Sequence, residues 1–227
     1  PITKWNCQIN YACEVEQVMA RAFHIARTGR PGPVLVSITR NAQVELTDFR
    51  YRPYAPVMKL LSGDIQPPLD MVAAAAEMMN KSFRPLILVG QGVTLAGAEE
   101  AVKELSAKAA VPVASTLLGL SAFQDDNPMF AGMAGMHGSV AANRMTQESD
   151  FILAIGMRFS DRVTGDTKSY APNATIVHID IDPAEFDKNI TAHIHLHGDA
   201  KEVTEALIPL ARHKDRKEWY AFMEQCR

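Results

Sequence analysis

The sequence predicts a doubly wound α/β fold, a mainly parallel sheet with helices on both faces. From residue 67 onward, segments with helical patterns alternate with short apolar runs of strand length. Runs such as RPLILVG (84–90) and FILAIG (151–156) are apolar throughout, which is typical of strands buried on both faces. Strands of this kind form a parallel sheet between two layers of helices.

The part of the chain before residue 67 is organised differently. CEVEQVMARAFHIAR (13–27) places apolar residues at helical spacing, and Gly29 and two prolines end the helix before the strand VLVSI (34–38). Residues 46–68 have no periodicity and contain four prolines, which indicates a linker. We therefore predict three parts, residues 1–45, a linker at 46–66, and a large domain at 67–227.

The large domain begins with a helix and then alternates between the two kinds of element. The predicted elements are, in order, helix LDMVAAAAEMMNKS (69–82), strand RPLILVG (84–90), helix AGAEEAVKELSAKAA (96–110), strand VPVAST (111–116), helix GSVAANRMTQESD (138–150), strand FILAIG (151–156), strand ATIVHIDI (174–181), strand HIHLH (193–197) and helix GDAKEVTEALIPLAR (198–212).

Composition and charge exclude several classes of function. The chain is 47% hydrophobic and 22% charged, as in soluble globular proteins, and its net charge of -3 leaves no basic excess for nucleic acid. No apolar run approaches the roughly 20 residues that cross a bilayer, so we expect no membrane contact and a cytoplasmic protein. The chain has three cysteines, Cys7, Cys13 and Cys226, which are far apart, and we predict that they are free thiols.

Ligands of doubly wound folds bind beyond the carboxyl ends of the strands, so the residues at those ends are candidates. Gly90 and Gly92 follow the strand at 84–90 and allow close approach of a ligand, or form a tight turn. Thr116 could hydrogen-bond a ligand or serve as a polar cap. The stretch Gly135-Met136-His137 precedes a helix that Ser139 is positioned to cap.

Charged residues follow two of the later strands. Arg158 and Arg162 suit phosphate, and Asp161 could orient one of them, although a solvated ion-pair cluster is the alternative. Asp180 ends a strand where dinucleotide folds place an acid for ribose hydroxyls. Asp199 could contact a ligand, cap the helix after it, or do both. Together these residues indicate a dinucleotide site better than a single-phosphate site.

The histidines do not predict a metal site. His193, His195 and His197 share one face of a strand by their spacing, but no cysteine or carboxylate partner lies close to them in sequence. No segment forms a nucleophile elbow either. We assign neither a catalytic nor a metal-binding residue to this chain.

Several motifs occur in family order over nearly the whole chain: PITKWN, GRPGPVLVSIT, TLLGL, GMHGSVAAN, RFSDRVTG, HIDIDPAE and the final GDA. In these motifs the chain resembles the acetolactate synthase (acetohydroxyacid synthase) family of thiamine-diphosphate-dependent enzymes. The resemblance implies that residues 1–45 are the tail of the pyrimidine-binding domain. It further implies that residues 67–227 are the central domain, which holds FAD, and the start of the following linker.

By position in the family motifs, the resemblance assigns a set of FAD contacts. These are Arg30, Gly90, Gly92, Thr116, Leu117, Gly135, Met136, His137, Gly156, Arg158, Arg162, Val163, Asp180 and Asp199. Asp180 and Asp199 fall at the adenosine end, and the arginines lie near the pyrophosphate and ribityl parts. The chain departs from the family pattern at three positions. The family often has an aspartate where this chain has Ser160, a lysine where it has Arg40, and a small residue where it has Met157.

The family reaction condenses two 2-oxo acids, pyruvate with pyruvate or 2-oxobutyrate, with loss of CO2, in branched-chain amino acid biosynthesis. It needs thiamine diphosphate and Mg²⁺, which we expect to be bound outside this chain, since the chain has GDI, GDT and GDA but no GDG. We therefore expect no carboligation by this polypeptide alone. The resemblance implies three kinds of partner for this chain. They are the other domains of the parent chain, further copies in a homo-oligomer, and a regulatory small subunit.

Two other classes of function remain open. The chain could be a stand-alone nucleotide-binding or interaction domain without flavin. This alternative predicts that the purified protein is colourless and takes up no added FAD. It could also be an NAD-dependent enzyme such as a deacylase, although the four cysteines of the zinc site of such an enzyme are missing. We further expect the apolar surface of residues 1–45 to be exposed.

Overall fold

A computed structural model describes residues 2–50 and 67–227. The described residues form two compact units, one on either side of the gap. Most of the predicted linker 46–66 lies outside the described residues, and the proposed domain boundaries stay predictions.

Residues 2–50 form a small parallel pair of strands with helices. The strands are β1 (Trp5–Ile9) and β2 (Val34–Ile38), and the helices are α1 (Val15–Arg27) and α2 (Arg40–Val44). The predicted helix and the strand VLVSI are confirmed, whereas the patterns above did not indicate β1. Phe23, Leu35 and Val44 are exposed in this unit, so it carries the expected apolar surface.

Residues 67–227 contain a sheet of six strands, all paired in parallel. The strands are β3 (Pro85–Val89), β4 (Val113–Ser115), β5 (Phe130–Met133), β6 (Phe151–Ile155), β7 (Thr175–Asp180) and β8 (Ile194–His197). Their spatial order is β5-β4-β3-β6-β7-β8. This is the 3-2-1-4-5-6 order of dinucleotide-binding folds, and the direction of winding reverses between β3 and β6.

Helices cover both faces of this sheet. They are α3 (Leu69–Lys81), α4 (Gln91–Ala96), α5 (Glu99–Ala109), α6 (Val140–Glu148), α7 (Asp161–Thr164), α8 (Ala200–Leu207) and α9 (Lys217–Cys226). One apolar core joins the sheet to α3, α5 and α8, and a second joins the other face to α6 and α9. The predicted doubly wound α/β class is therefore confirmed.

The two cores explain the uninterrupted apolar strands. Along β3, Leu86 and Leu88 enter one core while Ile87 and Val89 enter the other, and all four are fully buried. Alternate residues of a strand point to opposite faces, so a strand between two helix layers must be apolar on both. The described helices include none with both the length and the hydropathy to cross a membrane.

Candidate cofactor-binding site

The predicted contact residues of the large unit lie together at one edge of its sheet. Because the strands are parallel, their carboxyl ends share that edge. The residues are Gly90 and Gly92 after β3, Thr116 and Leu117 after β4, Gly135, Met136 and His137 after β5, Gly156, Arg158, Arg162 and Val163 after β6, Asp180 at the end of β7, and Asp199 after β8. Arg30 belongs to the other unit, between α1 and β2, and its role stays a prediction.

At the reversal point, the backbones after β3 and β6 touch each other. The Gly92 N–H donates to the Gly156 carbonyl at 2.9 Å, and a Cβ on Gly92 would lie only 2.6 Å from Gly156 Cα. Ordinary side chains would keep the two backbones apart. This contact explains why glycine is required at these positions, and the predicted ligand contacts of Gly90, Gly92 and Gly156 remain predictions.

The segment after β4 leaves apolar side chains exposed at the same edge. The Thr116 N–H donates to the Val89 carbonyl at 2.9 Å, which attaches this segment to the end of β3. A 3-10 helix follows at Leu117–Ala122, with Leu117 66% and Leu118 63% exposed. Exposed leucines beside polar loops offer a surface for a flat apolar ring.

The Gly135-Met136-His137 turn joins β5 to α6 and contacts the arginine-bearing loop. The Met136 N–H donates to the Arg162 carbonyl at 2.8 Å. Ser139 caps α6, as predicted, by accepting the Ala142 N–H at 3.2 Å. Met136 and His137 are exposed beyond this turn. The structure therefore brings the loops after β5 and β6 together.

The loop after β6 presents two arginine side chains to solvent. Arg158 and Arg162 are both exposed, whereas Met157 and Phe159 beside Arg158 are only 4% and 2% exposed. Asp161 Oδ1 accepts the main-chain N–H of Arg162 at 3.0 Å, so this carboxylate stabilises the first turn of α7. Two guanidinium groups on one short loop suit a doubly charged or extended phosphate group.

Two carboxylates lie beyond β7 and β8. Asp180 Oδ1 accepts the Asp182 N–H at 2.8 Å, which fixes the turn that leaves the strand. Asp199 caps α8 by accepting the N–H groups of Lys201 at 2.8 Å and Glu202 at 3.4 Å, so the predicted cap is confirmed. The structure thus shows a local role for each carboxylate, and their ligand contacts stay predictions.

His178 on β7 was not singled out from the sequence. Its ring is fully buried, and its Nε2 lies 2.7 Å from the Met157 carbonyl oxygen. Burial lowers the pKa of His178 to about 4, and the hydrogen bond to Met157 opposes that change. The neutral ring therefore donates from Nε2 to the loop after β6.

The three predicted strand-face histidines serve separate local contacts. His195 pairs with Asp187 at 2.9 Å, His193 Nδ1 accepts the Ile176 N–H at 3.0 Å, and His197 Nε2 lies 3.2 Å from the Ile181 carbonyl. The hydrogen bond from Ala192 and the one with His195 lower the pKa of Asp187. Within the described ranges, no group of three or more metal-ligating side chains comes together.

A cavity of about 850 Å³ lies at the opposite edge of the sheet, where the strands begin. Its lining includes Arg84, just before β3, and Trp219 on α9. A cavity of this volume is large enough for a small-molecule ligand. The strand ends are the stronger candidate because exposed cations, carboxylates and apolar side chains all follow the carboxyl ends of the strands, where ligands of this fold class bind.

Most of the large unit matches a known protein family. Residues 72–207 match the family described as "Thiamine pyrophosphate enzyme, central domain". The matched region begins in α3 and ends with α8, and it includes the whole six-stranded sheet of the described residues.

Similar individual proteins are large subunits. A "Probable acetolactate synthase large subunit" of Methanocaldococcus jannaschii is 44% identical over 96% of this chain, and the match covers 38% of that protein. "Acetolactate synthase isozyme 2 large subunit" of Escherichia coli is 40% identical over 90% of this chain and is 36% covered. The protein of Corynebacterium glutamicum named "Acetolactate synthase large subunit" is 37% identical over 99% of the chain and 36% covered. The chain thus spans a little over a third of each relative.

Proposed function

Because this chain belongs to the thiamine pyrophosphate enzymes and contains their central domain, we propose that it is the FAD-binding part of an acetolactate synthase large subunit. The printed names of the relatives support this assignment. The parent enzyme would join two 2-oxo acids, pyruvate with pyruvate or 2-oxobutyrate, with loss of CO2. FAD would hold the fold around the active centre and undergo no net oxidation or reduction.

The observation that carries the FAD site is the position of the two exposed arginines. Arg158 and Arg162 follow β6, one of the two strands between which the winding of the sheet reverses. Dinucleotides bind at this point in open α/β sheets. A pyrophosphate placed there would meet two planar cationic donors, which bind phosphate oxygens in pairs.

The remaining side chains at this edge fit the other parts of FAD. The Leu117 and Met136 side chains are exposed and could cover a flavin ring, and each is more than 60% accessible. The half-buried Asp180 carboxylate lies at the end of β7, where an acidic side chain suits the ribose hydroxyls of a dinucleotide. Asp199 would contact the adenosine end in the same way while it caps α8.

The same assignment sets the expected partners of the chain. Thiamine diphosphate and Mg²⁺ would be bound by other domains of the parent enzyme, which would supply the carboligation chemistry. We expect the enzyme to be cytoplasmic and homo-oligomeric, with a regulatory small subunit as a further partner. We expect this chain by itself to bind FAD without catalysing the condensation.

Titration of the purified chain with FAD, followed by flavin fluorescence, tests this function. We expect saturable binding that Arg158→Ala and Arg162→Ala each weaken by at least about tenfold, since each removes charge-assisted hydrogen bonds to phosphate. Arg144→Ala is the matched control, because Arg144 is an exposed arginine on α6 that pairs with Glu148. If the chain takes up no FAD, a domain without flavin is the better assignment.

A further inference from the structure

The backbone on either side of Arg158 is held in place although Arg158 itself is exposed. Met157 and Phe159 are buried, and Phe159 has a φ of +44°, a left-handed conformation that non-glycine residues rarely adopt. Such a conformation persists only where the surrounding structure imposes it. The contacts of these neighbours therefore determine where the Arg158 side chain projects.

A single buried histidine contacts both neighbours of Arg158. His178 Nε2 lies 2.7 Å from the Met157 carbonyl oxygen, and its ring meets the Phe159 ring edge-on with centroids 5.1 Å apart. The Phe186 ring packs edge-on against His178, also at 5.1 Å. The imidazole is thus fixed between two aromatic rings, and its N–H points at the loop.

Asn189 holds the second carbonyl beside Arg158. Its Nδ2 donates to the Phe159 carbonyl oxygen at 3.0 Å. The carbonyls on both sides of Arg158 are therefore bound by side chains from β7 and the segment after it. Two fixed carbonyls around one exposed residue restrict the direction of its Cα–Cβ bond.

The choice of histidine here is not explained by packing. Ile176, two residues earlier on the same face of β7, is apolar and buried in the same core as Phe159, so an apolar residue at 178 would suit this face. His178 instead keeps its Nδ1 buried without a hydrogen-bond partner among the described residues. An unpaired buried nitrogen is unfavourable, and the bond from Nε2 to Met157 compensates for it.

We propose that His178, together with Asn189, is a positioning residue that fixes the Met157–Phe159 backbone and so directs Arg158 toward the phosphate groups of a bound dinucleotide. The identity of that ligand rests on the proposed FAD function. The placement of Arg158 rests only on the contacts described above. His178 itself need not touch the ligand.

The first arm of the test needs no ligand. Crystal structures of the 227-residue chain and of its His178→Phe variant are compared at Arg158. Phenylalanine fills the space but cannot donate to Met157, so we expect the Arg158 Cα to shift by more than roughly 0.5 Å, the tolerance of a well-positioned site. An unchanged Met157–Phe159 backbone would overturn the proposal.

The second arm measures FAD affinity and includes a conservative variant. We expect His178→Phe to weaken binding at least about tenfold and His178→Gln to retain affinity within about threefold, because the glutamine Nε2 can donate to the Met157 carbonyl. His195→Gln is the matched control, since His195 lies beside His178 on β8 but pairs with Asp187. Equal affinities of all three variants and the parent chain would contradict the proposal.

A second position keeps the test decisive if His178→Phe does not fold. Asn189 is exposed, so Asn189→Ala should fold, and we expect it to release the Phe159 carbonyl and weaken FAD binding by several-fold. If the parent chain binds no FAD, the proposed function fails, but the position of Arg158 in the variant structures still decides the positioning role. An Asn189→Ala structure with Arg158 unmoved would count against it.

Discussion

The side-chain amide of Asn143 forms two hydrogen bonds with the main chain of Gly135. Asn143 Oδ1 accepts the Gly135 N–H at 2.8 Å, and its Nδ2 donates to the Gly135 carbonyl at 2.9 Å. Asn143 lies on α6, one helical turn beyond the cap Ser139. The first turns of α6 therefore fix the loop that carries Met136 and His137, and through Met136 this loop is bonded to Arg162.

Removal of this amide should destabilise the loop. Asn143→Leu leaves the Gly135 N–H without its partner and removes one of two donors to the Gly135 carbonyl, which still accepts the Gly138 N–H. We therefore expect a loss of about 1–3 kcal/mol in the free energy of unfolding, measured with urea. Arg144→Gln, at the exposed neighbouring position, should change it by less than about 0.5 kcal/mol. Similar values for the two variants would show that the Asn143 contact contributes little.

Glycine at 135 should be required for both space and backbone conformation. Gly135 has a φ of +114°, and a Cβ there would lie 2.6 Å from the Arg162 carbonyl oxygen. We expect Gly135→Ala to lower the free energy of unfolding by about 3 kcal/mol or more. Gly97→Ala is the control, because Gly97 has a φ of +63° but an open surrounding, and it should cost only about 1 kcal/mol. Unfolding free energies of equal size would exclude the steric contribution.

Acid should destabilise the large unit through His178. Its pKa in the fold is about 4, below the ordinary value of 6.5, because burial disfavours the charged ring. The unfolded chain binds more protons between these values, so stability falls as the pH drops from about 6.5 toward 4 and is retained above that window. Glu185 and Asp187 nearby favour the charged ring, and His195 disfavours it.

The measurement for His178 compares unfolding free energies near pH 7 and pH 5. We expect the parent chain to lose about 2 kcal/mol more over this range than His178→Gln, which cannot titrate. His213→Gln, at an exposed site, is the control and should behave as the parent does. If His178→Gln lost as much unfolding free energy between pH 7 and pH 5 as the parent chain, His178 would not be the cause of the acid destabilisation.

The buried Arg216 should contribute strongly to stability. Its guanidinium, in a residue only 4% exposed, donates to the carbonyls of Ala109 at 2.7 Å and Met79 at 3.2 Å, near the ends of α5 and α3. We expect Arg216→Met to lower the unfolding free energy by about 3 kcal/mol, because these carbonyls lose a charged donor. Arg212→Met, at an exposed position, should leave the unfolding free energy almost unchanged. If both variants lost a similar amount of unfolding free energy, the buried Arg216 would have no special stabilising role.

Most of the large unit could be predicted from apolar runs. The uninterrupted apolar runs of β3 and β6 were recognised because strands buried on both faces have few alternatives. The strand β5 (Phe130–Met133) was missed because it is short and contains a glycine. The helix α9 was missed although Trp219 and Met223, four residues apart, form the face that packs on the sheet.

The candidate site was predictable by position but not by contact. Residues at strand ends can be identified from sequence once the strands are known, which is how Arg158 and Asp180 were found. The bond of His178 to Met157 depends on the pairing of β6 with β7, and no local pattern reports it. The touching backbones of Gly92 and Gly156 likewise depend on the spatial order of the strands.

Backbone amide NMR shifts recorded during titration with FAD test the central claim most directly. If the strand ends form one cofactor site, the shifts will change around Gly92, Met136, Arg158 and Asp180 together. Amides beside the cavity at the opposite edge, such as that of Trp219, will stay unchanged. Changes confined to that cavity, or to one strand end alone, would contradict the claim.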